Sequence, residues 1–315
     1  MGVDHRDESA YPRRIAARLR FGLLLTAILA LAAPGAAARA ATGVGPATAL
    51  TPSRLFLIVL ENREYEEVAW HPEAPYFSHL LQRGTQATEF YGVSHPSLPN
   101  YLALFAGDTF GIAENCTECV VGGPNLATQL SRAGISWRAY MESMPEPCFA
   151  GSSYGRYAKR HNPFAYFPSV TEVPQRCDRV VPETELLADL DRHRLPRFGW
   201  LTPDLCHDGH DCGLAAVDFH LYLLVPRILR QLGPHGLLVV TFDEGISDAG
   251  CCGAPGGGRI PTVLAGADVP QGDLISQPAN HYSLLASIED HFGLPRLRLA
   301  RFAGPLAPTL FDPTD

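Results

Sequence analysis

Two pairs of acidic or amide residues stand at the ends of apolar runs in this chain of 315 residues. Leu55–Leu60 runs into Glu61-Asn62, and Leu237–Phe242 runs into Asp243-Glu244. Carboxylate and amide oxygens suit a divalent cation, and carboxylates at burial-prone positions are costly when unpaired. One pair alone reads as a strand cap or an arginine partner; two pairs on one sheet edge favour a metal site. A second cluster is Cys206-His207-Asp208-Gly209-His210-Asp211-Cys212, which crowds imidazoles and carboxylates between two cysteines. That is the ligand set of zinc or another first-row metal. The plainer reading is a solvated loop closed by disulfides, since the chain holds 12 histidines. Third, Ser94-His95-Pro96-Ser97-Leu98-Pro99-Asn100 precedes a helical apolar pattern, which places Ser97 at or near a helix N-terminus. Unpaired N–H groups there attract anions, so an attacked phosphate can be held beside the hydroxyl. Metal coordination would make that serine a nucleophile, although an ordinary N-cap serine has the same local sequence. No GxSxG elbow is present, which disfavours a lipase-like triad.

The elements that must position these groups are also legible. Leu55–Leu60, Phe198–Thr202 and Leu237–Phe242 are continuous apolar runs of strand length, as expected for strands buried on both faces, and Thr262–Ala265 is a shorter candidate. Between them, Ala74–Arg83, Asn125–Ala133, Glu183–Arg192, Val217–Gln231 and His281–Phe292 read as helices; most end at a glycine. Strands alternating with helices predict an α/β fold, a mostly parallel central sheet with helices on both faces. Ligands of such sheets bind beyond the carboxyl ends of the strands, where the acidic pairs stand. Gly253–Gly258 lacks the Lys-Ser/Thr of a phosphate-binding loop and reads as a structural glycine loop.

Charge and cysteine usage narrow the class. The formal charge is −8, and six arginines against three acids in the first 40 residues leave the remainder still more acidic. With Lys159 as its only lysine, the chain offers no footprint for a phosphate backbone, so no nucleic-acid partner is expected. A hydrophobic content of 46% against 18% charged residues excludes general disorder. Residues 1–40 read as a signal peptide: the basic stretch Arg13–Arg20, an apolar run Phe21–Ala33, then small residues that place cleavage near Ala40. That run is short against the roughly 20 residues needed to span a bilayer, so no stable membrane anchor is expected after cleavage. Arg13-Arg14 leaves twin-arginine export open beside the general route. Residues 41–53 read as a linker and 54–315 as one folded domain. All eight cysteines follow the signal, and in an oxidising compartment they read as disulfides. Their pairing is open, because eight cysteines allow roughly a hundred connectivities. Cys116-Thr117-Glu118-Cys119 has no second CxxC at zinc-ribbon spacing.

Taken in order, these segments resemble the phosphoesterase family of bacterial acid phosphatases and phospholipases C, within the alkaline-phosphatase-like superfamily. The resemblance rests on Leu60–Arg63, His95–Gly107, Tyr157–Pro163, Asp208–Asp211, Thr241–Glu244, Asn280–Leu285 and Glu289–Leu294. They span about residues 55–295, and the ordered set is far more specific than any member. The resemblance implies that Glu61, Asn62, Asp243 and Glu244 are metal ligands and that Ser97 is both nucleophile and ligand. It implies that Asn100 hydrogen-bonds a phosphoryl oxygen. His161, His210, Asp211 and His281 match polar pocket residues that hold a second metal or protonate the leaving group. One or two divalent ions per chain are therefore expected. His207 departs from the family, where Asn is usual, and Cys251-Cys252 with the glycine loop has no family counterpart.

The implied function is a secreted, metal-dependent phosphomonoesterase of the acid-phosphatase type, with phosphoinositides and other lipid headgroups among its phosphate-ester substrates. A phospholipase C acting on diesters is the alternative on the same scaffold. Lys159, Arg160 and His161 favour a dianionic monoester, whereas Tyr154, Tyr157, Tyr166 and Phe167 would suit an aromatic cage for choline. A non-catalytic, disulfide-stapled binding protein is the alternative from another class.

Overall fold

The computed structural model describes residues 53–311. The signal expected in residues 1–40 and most of the linker lie outside the described residues. An eight-stranded sheet organises the domain. Its strands are β1 (Leu55–Leu60), β2 (Thr85–Ala87), β3 (Trp137–Met141), β4 (Val180–Pro182), β5 (Phe198–Thr202), β6 (Leu237–Phe242), β7 (Thr262–Ala265) and β8 (Asp273–Ile275). Their order is β8-β2-β7-β6-β1-β5-β3-β4. From β6 to β4 every pairing is parallel, while β7 runs antiparallel to both β6 and β2. The sheet is therefore mostly parallel, and the fold is α/β.

Every residue of β1, β5 and β6 is buried, which is why those strands read as unbroken apolar runs. Register puts Phe242 of β6 level with Leu60 of β1, and Trp200 of β5 level with Leu57, so the two aromatics face opposite sides. Helix α1 (Pro75–Arg83) sets Phe77 edge-on against Phe242 with ring centroids 6.0 Å apart. Helix α2 (Ser97–Ala106) sets Phe105 against Trp200 at 6.2 Å. The long helix α3 (Leu214–Leu232) packs beside α1, and α4 (His281–His291) packs beside α2. Both faces are thus covered. Close packing allows only glycine at one strand position: a Cβ on Gly199 would sit 2.3 Å from the Phe56 ring.

Four strands carry no clear signature of their own. β2, β4 and β8 have three residues each, too few for a period to show. β3 is interrupted by Arg138, whose guanidinium is held by Asp189 at 2.6 Å; the same carboxylate accepts the Tyr140 hydroxyl at 3.0 Å. No helix among the described residues is long and apolar enough to cross a membrane.

The cysteines pair as Cys116–Cys119, Cys148–Cys177, Cys206–Cys212 and Cys251–Cys252. Disulfide formation therefore occupies the CxxC pair, and the Cys206–Cys212 bridge closes the acidic loop that follows β5.

Candidate active site

The parallel strands β1, β6 and β5 end on the same edge, and their next residues deliver acids to one place. Glu61 follows β1, Asp243 and Glu244 follow β6, and the loop after β5 brings in Asp208. All four are buried. Asn62 adopts a left-handed conformation (φ 54°), which lets its backbone N–H donate to Asp243 Oδ1 at 3.1 Å and its amide donate to Glu61 Oε2 at 2.7 Å. The Glu61 N–H donates to the Asp208 carbonyl at 2.9 Å, tying β1 to the disulfide-closed loop.

Ser97 is the first residue of α2 and is buried among these acids. Its hydroxyl lies within hydrogen-bond reach of two carboxylates, Glu61 Oε2 at 2.9 Å and Glu244 Oε1 at 3.2 Å. The loop that presents it is pressed against the glycine loop, where a Cβ on Gly257 would lie 2.5 Å from the Ser94 carbonyl. Gly245 donates its N–H to Gly257 at 2.7 Å, so the same loop also fixes the end of Asp243-Glu244. Gly253–Gly258 is structural in a specific sense: its missing side chains let two site-bearing loops meet.

His161 is buried between two of the acids, with Nε2 3.2 Å from Glu61 Oε1 and Nδ1 3.2 Å from Asp208 Oδ2. Burial, with Arg160 and His210 nearby, pushes its pKa well below the usual imidazole range. Neither approach is aligned as a hydrogen bond. Tyr101, one turn after Ser97, stacks on it with centroids 5.5 Å apart.

The acids are perturbed in the opposite direction. Burial, reinforced by Asp243 and Asp208, pushes Glu61 well above the carboxylate range. Burial and the adjacent Glu244 do the same to Asp243, and burial takes Asp208 to about 8. Glu244 is also raised by burial, against the opposing pull of His95, whose Nδ1 contacts its carboxylate directly. Glu61 Oε1, Asp208 Oδ2, Asp243 Oδ2 and His161 Nε2 are all buried without a hydrogen-bond partner. Uncompensated donor atoms of this kind fit a divalent cation, and Glu61, His161 and Asp208 bring ligand atoms within 4.8 Å of one another.

The other expected site residues take different positions around the cluster. Asp211 is exposed and pairs with its neighbour His210 at 2.7 Å; Asp208 is the carboxylate of that loop that reaches the cluster. Asn100 is fully buried, with Oδ1 accepting the Val93 and Ser94 N–H groups at 2.8 and 3.2 Å. Its amide donates to the Ser94 and Pro96 carbonyls at 2.7 and 3.3 Å, so its bonds shape the serine loop and none is directed to a ligand. His281 begins α4 behind the cluster, where Nε2 bonds the Asp243 carbonyl and burial brings its pKa down to about 4. His210 stands at the rim, its ring 5.9 Å from that of His161, with Arg160 3.3 Å from its Nε2. Lys159 turns away to the Thr117 carbonyl at 2.6 Å. Asp208, His95 and Tyr101 are the members that spacing alone did not single out, although all three fall inside the ordered motifs.

A family model described as "Phosphoesterase family" matches residues 69–295. The chain is 32% identical over 269 residues to a phosphatidylinositol-3-phosphatase of Mycobacterium tuberculosis, covering 84% of this chain and 85% of that one. It is 30% identical over 258 residues to an acid phosphatase of Aspergillus fumigatus, covering 78% of this chain but only 56% of the fungal protein. Among solved structures, a Vibrio parahaemolyticus protein in the alkaline phosphatase superfamily superposes with a TM-score of 0.54 at 14% identity. It covers 78% of this chain and 67% of its own, and at that identity the likeness speaks for the fold alone. With named phosphatases among its relatives, the chain is a hydrolase of phosphoric esters, which sets aside a non-catalytic binding protein. Its sequence, its sheet and its edge of buried acids agree, and the chain belongs to the Phosphoesterase family.

Proposed function

We propose that this protein is an exported, metal-dependent phosphomonoesterase in which Ser97 is the nucleophile. The observation that carries this reading is the buried Ser97 hydroxyl, at a helix N-terminus and in reach of both Glu61 and Glu244. Glu61, Asn62, Asp243, Glu244 and Ser97 would hold a divalent cation, with Asp208 and His161 on the far side of Glu61 available for the same or a second ion. Such an ion, when bound, lowers the pKa of the serine and polarises phosphoryl oxygens.

The chain's own groups then have definite tasks. Ser97 Oγ forms a bond to phosphorus as the bond to the ester oxygen breaks, and its proton passes to the carboxylates that face it. The departing oxygen takes a proton from the rim, where His210 is exposed. Water then attacks the phosphoserine, the bond between phosphorus and Oγ breaks, and Ser97 regains its proton as phosphate leaves. The N-terminus of α2 favours the negative charge carried by the phosphoryl oxygens.

Two features favour a monoester over a choline diester. Arg160 and His210 place donors at the rim, suited to a dianion. Of the aromatics considered for a cage, Tyr157, Tyr166 and Phe167 are buried in the core, leaving only Tyr154 exposed. A cleft of about 1000 Å³ beside the serine loop, lined in part by Val93, Ser94, Ile112, Tyr282 and Phe302, has room for a large leaving group such as a phosphoinositide. The four disulfides support export. The test is hydrolysis of p-nitrophenyl phosphate against p-nitrophenylphosphorylcholine, with and without EDTA. Monoester turnover abolished by EDTA is expected; preference for the choline diester would make the protein a phospholipase C.

A further inference from the structure

The loop between Cys206 and Cys212 sends consecutive side chains to different places. Asp208 enters the site beside Ser97, whereas His207 turns to Glu142, the residue that follows β3, with Nδ1 2.7 Å from Glu142 Oε1. Against the His207 ring lies that of His220, from the second turn of α3, parallel to within 6° and 4.6 Å away. His220 Nε2 stands 3.1 Å from Glu183 Oε1 and 3.8 Å from Glu142 Oε2. Four elements that are remote in sequence thus aim two imidazoles and two carboxylates at one point.

We propose that Glu142, His207 and His220, with Glu183 as a fourth donor, form a binding site for a zinc-type divalent ion, separate from the cluster at Ser97. Ligand atoms of the first three residues lie within 4.8 Å of one another. Two imidazoles with carboxylate oxygens are the donor set of zinc or a similar first-row ion, rather than of magnesium or calcium. Partner accounting points the same way. His220 Nε2 and Glu183 Oε1 are buried without a hydrogen-bond partner, and the His220 side chain is nine-tenths buried. Protons alone would not settle the cluster well, because protonating both stacked rings sets like charges face to face. A single cation serves both nitrogens and both acids at once.

Asp204 stands beside the group rather than in it: its oxygens accept from the Ser143 hydroxyl at 2.6 Å and from the N–H groups of Cys206 and His207, and Oδ1 is 3.8 Å from His207 Nδ1. It does lock the loop onto Glu142 through its own N–H, at 2.9 Å. A metal here would fasten the Asp208-bearing loop to β3 and α3. His207, about one third exposed, provides the route by which an ion enters.

The test is metal stoichiometry of the full protein after loading with Zn²⁺ and dialysis, together with the visible absorption of the Co²⁺-loaded form. Wild-type protein is expected to hold one zinc more per chain than His220→Gln or His207→Asn, and both variants are expected to lose the Co²⁺ band of the site with two imidazoles. Glu61→Gln is expected to keep that band, which separates this site from the one at Ser97. Melting curves guard against variants that fail to fold: Zn²⁺ should raise the Tm of wild type by more than that of His207→Asn, which keeps only the site at Ser97, and should still raise that of Glu61→Gln. Unchanged stoichiometry and an unchanged Co²⁺ band in both histidine variants would overturn the proposal, as would loss of the band in Glu61→Gln alone.

Discussion

Ser97 and Glu61 are 36 positions apart, yet the hydroxyl of one meets the carboxylate of the other across 2.9 Å, both buried. Glu61 is fixed as the first residue beyond a central strand, and Ser97 as the first residue of a helix packed on that sheet. The contact is consequently set by a central strand and a helix packed on its sheet, elements more precise than loops for holding two groups together.

Ser97→Ala should lower turnover of p-nitrophenyl phosphate by at least about a thousandfold while leaving the fold intact. Acid-quenched wild-type enzyme should carry a phosphate on the peptide containing Ser97, read by mass spectrometry. Wild-type turnover in the alanine protein would remove Ser97 from the reaction.

Asp208 and Asp211 lie three residues apart with opposite expected consequences. Asp208→Asn removes a buried carboxylate from the cluster and should weaken metal retention or turnover by about 10–100-fold. Asp211→Asn alters an exposed pair with His210 and should stay within about threefold. Metal titration of activity for the two variants separates them, and equal effects would contradict the placement of Asp208.

Both ends of the Asn100 amide bond the backbone of the serine loop. Asn100→Ala would leave the Val93 and Ser94 N–H groups without their acceptor, at a cost of about 2–4 kcal/mol measured by urea unfolding. A direct phosphoryl contact predicts the reverse pattern, a loss of turnover with stability nearly unchanged.

Stability should fall with rising pH in EDTA-treated protein. Asp208 has a folded pKa of about 8 against an ordinary 3.8, so the folded state holds a proton that the unfolded chain has released. Its contribution is full below pH 3.8 and is lost as pH rises through 8. His281 has the opposite sign: with its pKa lowered to about 4, it costs stability as pH falls below 6.5. Above pH 6.5 His281 no longer contributes, whereas Asp208, Glu289 (also raised to about 8 by burial), and His95 and His207, both raised above the ordinary imidazole value, all lose stability as pH rises. Between pH 6.5 and 8 the Tm of EDTA-treated protein should drop with pH, and a divalent cation should restore more of it at pH 8 than at pH 6.5. A flat Tm across that window would count against a cluster of protonated acids.

The central strands, the long helices and the acids at two strand ends were legible from residue order alone. Burial on both faces demands unbroken apolar runs, helices repeat their apolar face every turn, and a parallel sheet sends its strand ends to one edge. β2, β4 and β8 stayed hidden because three residues are shorter than any recognisable pattern. Only the tertiary structure decided which acid of the Asp208–Asp211 loop turns inward, since local sequence does not say which way a disulfide-closed turn faces. Cysteine pairing was open for the same reason: it depends on distances between residues that the fold brings together. Asn100 shows the limit most clearly. Its residue type fits either a phosphate donor or a backbone brace, and only the fold shows its amide N–H groups on the Ser94 and Pro96 carbonyls and its oxygen on the Val93 and Ser94 N–H groups.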